Sequence, residues 1–404
     1  MRDAMKYFYR LLCPAVTSKT ELWMGVPVEK VRLSSLEAFV FVALTGGFTG
    51  CGGGGSTTAP PTPQPTVTLG GLVDPLATSA MKQQNIPGMT VALAKDGTML
   101  YANAYGDADT ATASSTQIST IFEIGSVTKQ FTAALIMKLQ EQGALHVDDS
   151  IQLYLPDYPF PPAITLRMLL NHTSGLPNYT TFTQYPGWAV NGVSEQTILT
   201  TVSQMPILFP PGTQWSYSNS NYFALGAILE KVTGQSYADN LTQSIFQPLG
   251  LTNTYFSLPP PAQSAIGYTL NGTSLVSALV CDRSTAFAAG ALSSNVSDLI
   301  AWDNALINGK VVSPASFTAM TTPVSASIPG GGSYGFGLAL RTFDNHATIW
   351  HDGLINGFTA ETNVFLDSGL AIVVLTNSDG ADPDSISTTI MGAVCTSSQF
   401  GSDC

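Results

Sequence analysis

Strand-like alternation marks both ends of this chain and helical spacing marks its middle, a pattern that leaves few ways to fold it. Met89 to Ala94, the turn Lys95-Asp96-Gly97 and Thr98 to Tyr105 predict a β-hairpin closed by an Asp-Gly turn. Far down the chain, Tyr334 to Phe343 and Ala347 to His351 predict two more strands. Phe358, Ala360, Thr362, Val364 and Leu366 then alternate, and Asp367-Ser368-Gly369 turns the chain into an apolar strand, Leu370 to Thr376. Between these ends, Gln130–Gly143, Thr165–Asn171, Ser194–Gln204, Tyr222–Gly234 and Tyr237–Leu249 carry helical spacing or caps. Val73–Gln84 and Asp384–Val394 predict flanking helices. The expectation is an α+β fold. One antiparallel sheet, built from both chain ends and flanked by helices, carries an inserted, mainly helical domain at about residues 140–290. A site would lie in the crevice between them.

The first 70 residues read differently. Behind Lys30 and Arg32, Leu36 to Gly50 joins a short apolar stretch to small residues, which is how a secretory signal is built. The run is shorter than the roughly 20 apolar residues a membrane span needs. Phe48-Thr49-Gly50-Cys51 resembles a bacterial lipoprotein processing site, so Cys51 is expected to be acylated and to become the new N-terminus. A plain signal peptide with an incidental Cys is the alternative. The Gly/Ser-rich and then Pro-rich stretch that follows suits a tether. The chain is thus divided into a signal segment (1–50), a tether (51–70) and a folded domain (71–404). A periplasmic or cell-surface location, with a lipid anchor in the membrane, is expected.

The net charge of −12 offers no basic footprint, which argues against a nucleic-acid partner. Cys13, Cys51, Cys281, Cys395 and Cys404 form no Cys-x-x-Cys pair and share no metal spacing with the four histidines, so neither metal nor cofactor is expected. In an oxidising compartment Cys395 and Cys404 can close a small loop, or either can pair with Cys281.

Ser126-Val127-Thr128-Lys129 opens an apolar-periodic helix. Residues three apart share a helix face, so the Lys129 amine lies beside the Ser126 hydroxyl. A serine needs a base to become a nucleophile, and a desolvated lysine can be that base. Alone, such a pattern is more often an N-cap serine with a surface lysine. Two other segments change the balance. Trp215-Ser216-Tyr217-Ser218-Asn219 supplies a Tyr-x-Asn before a helix, and Trp350-His351-Asp352-Gly353 supplies a His-x-Gly at a strand end.

With these three motifs, in this order, the chain resembles the penicillin-recognising serine hydrolases. That superfamily holds D,D-peptidases, class C β-lactamases, D-aminopeptidases and β-lactamase-like esterases. The resemblance covers roughly Val73 to Met391. Asn171-His172-Thr173-Ser174-Gly175-Leu176 and Pro211-Gly212 fall in matching context. It implies a serine hydrolase that forms an acyl-enzyme on Ser126, with Lys129 taking the proton and Tyr217 shuttling it. Asn219, His351, Gly353 and Leu354 would bind substrate, with the backbone N–H groups of Ser126 and Leu354 as the oxyanion hole. His172 is expected to be structural.

Two features qualify the substrate. Asp352 and Leu354 stand where relatives that hold a substrate carboxylate commonly carry hydroxyls, and Ala339 stands where a basic residue can occur. Arg341, two residues on, is the candidate substitute. A neutral ester, or a peptide-type amide with a free amino end, is therefore favoured over a β-lactam or a D,D-carboxypeptidase substrate. A non-catalytic, envelope-anchored binder of cell-wall peptides is the rival class. Finally, Gly331-Gly332-Ser333-Tyr334-Gly335 spells a nucleophile elbow but lacks the strand before it and the helix after it, so Ser333 is read as a loop residue.

Overall fold

The computed structural model describes residues 68–256, 261–324, 332–398, 400–401 and 404. The signal segment, Cys51 and nearly all of the tether lie outside the described residues.

Thr68 caps the first helix, α1 (Leu69–Gln84), its hydroxyl accepting from the Gly71 N–H, and Asn85 ends it in the left-handed region at φ 53°. The helix begins four residues before the expected Val73, because the cap outweighs the glycines that follow it. Strands β1 (Gly88–Lys95) and β2 (Thr98–Asp109) form the expected hairpin, and β3 (Ser114–Ser115) edges it. The C-terminal strands are β4 (Ser333–Tyr334), β5 (Ala339–Phe343), β6 (His346–Ile355), β7 (Phe358–Phe365) and β8 (Leu370–Thr376). The eight lie in one sheet in the order β3-β2-β1-β8-β7-β6-β5-β4. The joint between the two chain ends is the antiparallel ladder from Met89↔Thr376 to Lys95↔Leu370.

Both faces of this sheet are covered, so its central strands are apolar on both sides rather than on one. Val91, Leu93, Ile372 and Val374 pack against α1 and the closing helix α6 (Pro383–Thr396). Ala92, Ala94, Val373 and Leu375 face the larger core, which holds α2 (Thr128–Glu141), α3 (Asn219–Thr233) and α5 (Val296–Ile307). Helix α2 is buried from Thr128 to Met137 and runs through the centre of that core. Phe131 stacks on Trp302 of α5 at 3.9 Å, and Gln130 bridges Trp302 Nε1 to Thr362 Oγ1 of β7.

Two expected elements differ. Tyr334 to Phe343 is two short strands, not one, because Gly337 turns at φ 70° and its Cα passes so close to Lys129 that an added Cβ would lie 2.6 Å from the Lys129 carbonyl oxygen. The Tyr237–Leu249 helix contains a π-helical stretch at Thr242–Phe246. Cys395 and Cys404 form a disulfide, and Cys281 is free and buried.

Candidate active site

Ser126 sits in the tight turn Gly125–Val127 that leads directly into α2, between β6 and helix α4 (Arg283–Gly290). Two glycines make this crowding possible. Gly125 has φ 49°, and a Cβ there would fall 2.7 Å from the Leu354 nitrogen. A Cβ on Gly353 would fall 1.9 Å from the Ile124 carbonyl oxygen and 3.1 Å from the Ser126 nitrogen. The strand backbone at Gly353 and Leu354 therefore lies against the serine turn, with no side chain between them.

Lys129 is completely buried. Its Nζ lies 2.9 Å from Ser126 Oγ, 2.8 Å from Asn219 Oδ1 and 2.6 Å from the Ala289 carbonyl oxygen. Burial holds the amine well below the usual lysine range, against a weak opposing pull from Asp352. A neutral amine has two N–H donors and one lone pair. The two hydrogens match Asn219 Oδ1 and the Ala289 carbonyl, and the lone pair is left for the Ser126 hydroxyl proton. The Ala289 carbonyl owes its position to a kink in α4 at Phe287, held at φ 39° and ψ −136°. That backbone region is costly for a bulky residue, and here it turns two carbonyls onto α2: Ala289 onto Lys129 and Ala288 onto Thr132 Oγ1 at 2.7 Å.

Tyr217 lies in the extended segment before α3, its ring centroid 5.0 Å from Lys129 Nζ. Asn219 is the first residue of α3, one place inside the helix rather than ahead of it, and its backbone N–H donates to Asn178 Oδ1 at 3.1 Å. His351 lies in mid-strand, because β6 runs on to Ile355. Tyr334 donates to His351 Nε2 at 2.9 Å, and His351 Nδ1 donates to the Asp352 carbonyl at 2.5 Å. Burial, then the nearby Lys129, bring the imidazole down to about 3, so it is neutral. From His351 onward β6 pairs only with β7, since its ladder with β5 ends at Trp350↔Ala339.

Thus Ser126, Lys129, Tyr217, Asn219, His351, Gly353 and Leu354 come together around the serine turn. The expectation for Arg341 is corrected. It stands on the opposite face of the sheet, bonded to Asp384 of α6 and 3.4 Å from Glu361 of β7, with its guanidinium 4.4 Å from the Trp350 ring. Ala339 and Arg341 do share a face, but it is the back one. Asp352, between His351 and Gly353, alternates toward that back face. Burial and the charge of Asp384 push its carboxyl up to about 6.

Sequence reasoning missed the Ala289 carbonyl, Tyr222 and Tyr334. Tyr222 lies in α3 with its ring 5.5 Å from Lys129 Nζ. Ser333 belongs to the two-residue edge strand β4, with no helix after it. Its neighbour Tyr334, masked by the misleading motif, is the residue that reaches the site.

A family model described as Beta-lactamase matches residues 73–392. The chain belongs to the β-lactamase family. It is a serine hydrolase by that membership and by its relatives. A penicillin-binding protein of Bacillus subtilis (strain 168) is 30% identical over 313 residues, covering 72% of this chain and 68% of that one. A D-aminopeptidase of Cereibacter sphaeroides (strain ATCC 17029 / ATH 2.4.9) is 27% identical over 313 residues, covering 76% of this chain and 60% of that one. Among solved structures, the D-amino acid amidase of Ochrobactrum anthropi SV3 superposes with a TM-score of 0.69 at 26% identity, covering 81% of this chain and 97% of that one. In this β-lactamase family member, as in the sequence pattern, the serine and the lysine share one turn of helix.

Proposed function

We propose that the protein hydrolyses neutral esters or amino-acid amides with a free amino end through an acyl-enzyme on Ser126. The observation that carries this reading is the Lys129 amine, wholly buried, 2.9 Å from Ser126 Oγ, and in hydrogen-bond reach of two further oxygens, Asn219 Oδ1 and the Ala289 carbonyl; burial holds it well below the usual lysine range. Ser126 Oγ attacks the substrate carbonyl carbon while its proton passes to Lys129 Nζ. The carbonyl oxygen, now an anion, takes hydrogen bonds from the backbone N–H groups of Ser126 and Leu354. Tyr217, beside the same amine, carries the proton to the leaving alcohol or amine. Water then attacks the ester carbonyl by the reverse proton route, releasing the acid and restoring Ser126. Asn219 orients the lysine and the substrate, and His351 and Gly353 keep the β6 edge in place.

The substrate preference rests on charge. Arg341 is committed to the back of the sheet, so it is not a cation for a substrate carboxylate. Leu354 adds an apolar side chain where a hydroxyl would help an anion. The D-amino acid amidase and D-aminopeptidase relatives lie on the same side of the choice. A panel of p-nitrophenyl esters, D-amino-acid amides, D-alanyl-D-alanine peptides and nitrocefin tests it. The esters or amides are expected to turn over fastest, and faster turnover of the last two would overturn the preference. Fluorophosphonate labelling that persists in Ser126→Ala would overturn the mechanism.

The N-terminal segment supports export and acylation of Cys51. Palmitate incorporation during bacterial expression, lost in Cys51→Ser, is the expected result. Equal incorporation by both forms would remove the anchor from the reading.

A further inference from the structure

His172 contacts neither Ser126 nor Lys129 by hydrogen bond, yet it is tied to Tyr217 from three directions. It follows the short helix Leu166–Leu170 and is wholly buried. Its backbone sits at φ 63°, a conformation that glycine, asparagine and histidine tolerate better than other residues. Its carbonyl accepts from the Ser216 N–H at 3.0 Å. Its Nδ1 accepts from the Ser218 N–H at 3.2 Å. Both backbone amides flanking Tyr217 are therefore held by this one residue. Its ring then lies against the Tyr217 ring, centroid to centroid 4.4 Å.

The tautomer is fixed as well. Ser174 Oγ donates to Asn221 Oδ1 at 2.6 Å, which turns the Asn221 NH2 toward His172 Nδ1 at 2.9 Å. With two donors aimed at it, Nδ1 carries no proton, and the ring proton resides on Nε2. The imidazole is enclosed by Trp215, Tyr222 and Tyr334, at centroid distances of 6.1, 5.3 and 4.9 Å. A filler residue would need none of these directional bonds.

We infer that His172 is a positioning residue: through the Ser216 and Ser218 amides and its own ring face, it fixes the Tyr217 ring beside the Lys129 amine. The inference rests on the reading of Tyr217 as proton carrier. It adds that the carrier's place is set by a residue more than 40 positions upstream, which itself touches no reacting atom.

The test uses the purified chain with four variants: Tyr217→Phe, His172→Asn, His172→Gly and the double variant His172→Gly/Tyr217→Phe. Turnover of p-nitrophenyl butyrate, the rate of fluorophosphonate labelling of Ser126 and the thermal midpoint are measured for each. Glycine relaxes the positive φ but removes ring and acceptor. Asparagine keeps an acceptor for the Ser218 N–H and tolerates the same φ. His172→Gly is expected to lower kcat about 10²-fold with KM changed less than about threefold, and His172→Asn to lower it about 3–10-fold. In the Tyr217→Phe background the His172→Gly loss should disappear, since residues that act as a unit do not add. A normal kcat in His172→Gly beside an impaired Tyr217→Phe would overturn the positioning role alone. So would a double variant slowed by the product of the two single effects. Full turnover by Tyr217→Phe would instead overturn the role given to Tyr217. Should His172→Gly show no cooperative melt, His172→Asn alone and combined with Tyr217→Phe gives the same comparison.

Discussion

The two faces of one sheet each hold a basic side chain, and they treat it in opposite ways. On the back face Arg341 meets two carboxyls, Asp384 and Glu361. On the front face Lys129 meets a hydroxyl, an amide oxygen and a backbone carbonyl, with no carboxylate among its hydrogen-bond partners. A buried charge keeps its proton when an opposite charge repays its desolvation, and gives it up when only neutral dipoles are on offer. On the proposed mechanism the back face is thus a structural ion pair and the front face a base. Asp352 sits on the strand between them, and its carboxyl feels both Asp384 and Lys129.

That contrast can be broken most sharply at Lys129. Lys129→Met is expected to cut ester turnover and Ser126 labelling about 10²–10⁴-fold, read by steady-state kinetics and gel fluorescence. An active Lys129→Met would remove the base from the front face. Next in size, Arg341→Met should lose about 1–3 kcal/mol of stability by urea melting, because it leaves the Asp384 carboxyl without its charged partner, while the folded fraction keeps its turnover. Loss of turnover without loss of stability would show that the back face serves the chemistry after all.

The pH dependence of stability should carry opposite signs on the two faces. Lys129 is depressed in the folded state, so the unfolded chain binds its proton more readily, and Lys129 makes the protein more stable as pH rises toward 10.5. Glu361 is raised by burial and by Asp384, so its contribution is full below about 4.5 and is lost as pH rises through its folded value. Against wild type, Lys129→Met should remove a rising slope and Glu361→Gln a falling one, each at most about 1.4 kcal/mol per pH unit. Melts across pH 5 to 9 would detect slopes of the same sign, and those would end the contrast. The smallest effect is expected at the sheet's edge, where Ser333→Ala should leave Ser126 labelling within about twofold.

Most of the architecture was legible because β7 alternates with period 2, while β1 and β8 are short apolar runs bounded by the Asp96-Gly97 and Asp367-Ser368-Gly369 turns. The stretch Tyr334 to Phe343 alternates equally well, yet Gly337 breaks it, and nothing local distinguishes a glycine in a strand from one at φ 70°. Alternation also put Ala339 and Arg341 on a common face but could not say which face looks toward Ser126. That depends on α6, far along the chain. The serine and lysine were legible from a three-residue spacing. The Ala289 carbonyl was not, since its direction comes from the backbone at Phe287 rather than from a side chain.

The ladder between β1 and β8 has a consequence in time. β8 is the strand that joins the N-terminal hairpin to the C-terminal strands, and the ladder pairs Met89 with Thr376. During synthesis the β1–β2 hairpin emerges early and must wait for almost the whole chain before its other edge is covered. Contacts so distant in sequence make folding slow. Through that interval Val91 and Leu93 lie open to other chains, and the floor beneath Ser126 is unfinished. A chain that stops before Leu370 would therefore carry every one of the serine, lysine and tyrosine motifs and still lack the strand that joins the two halves of the sheet beneath them.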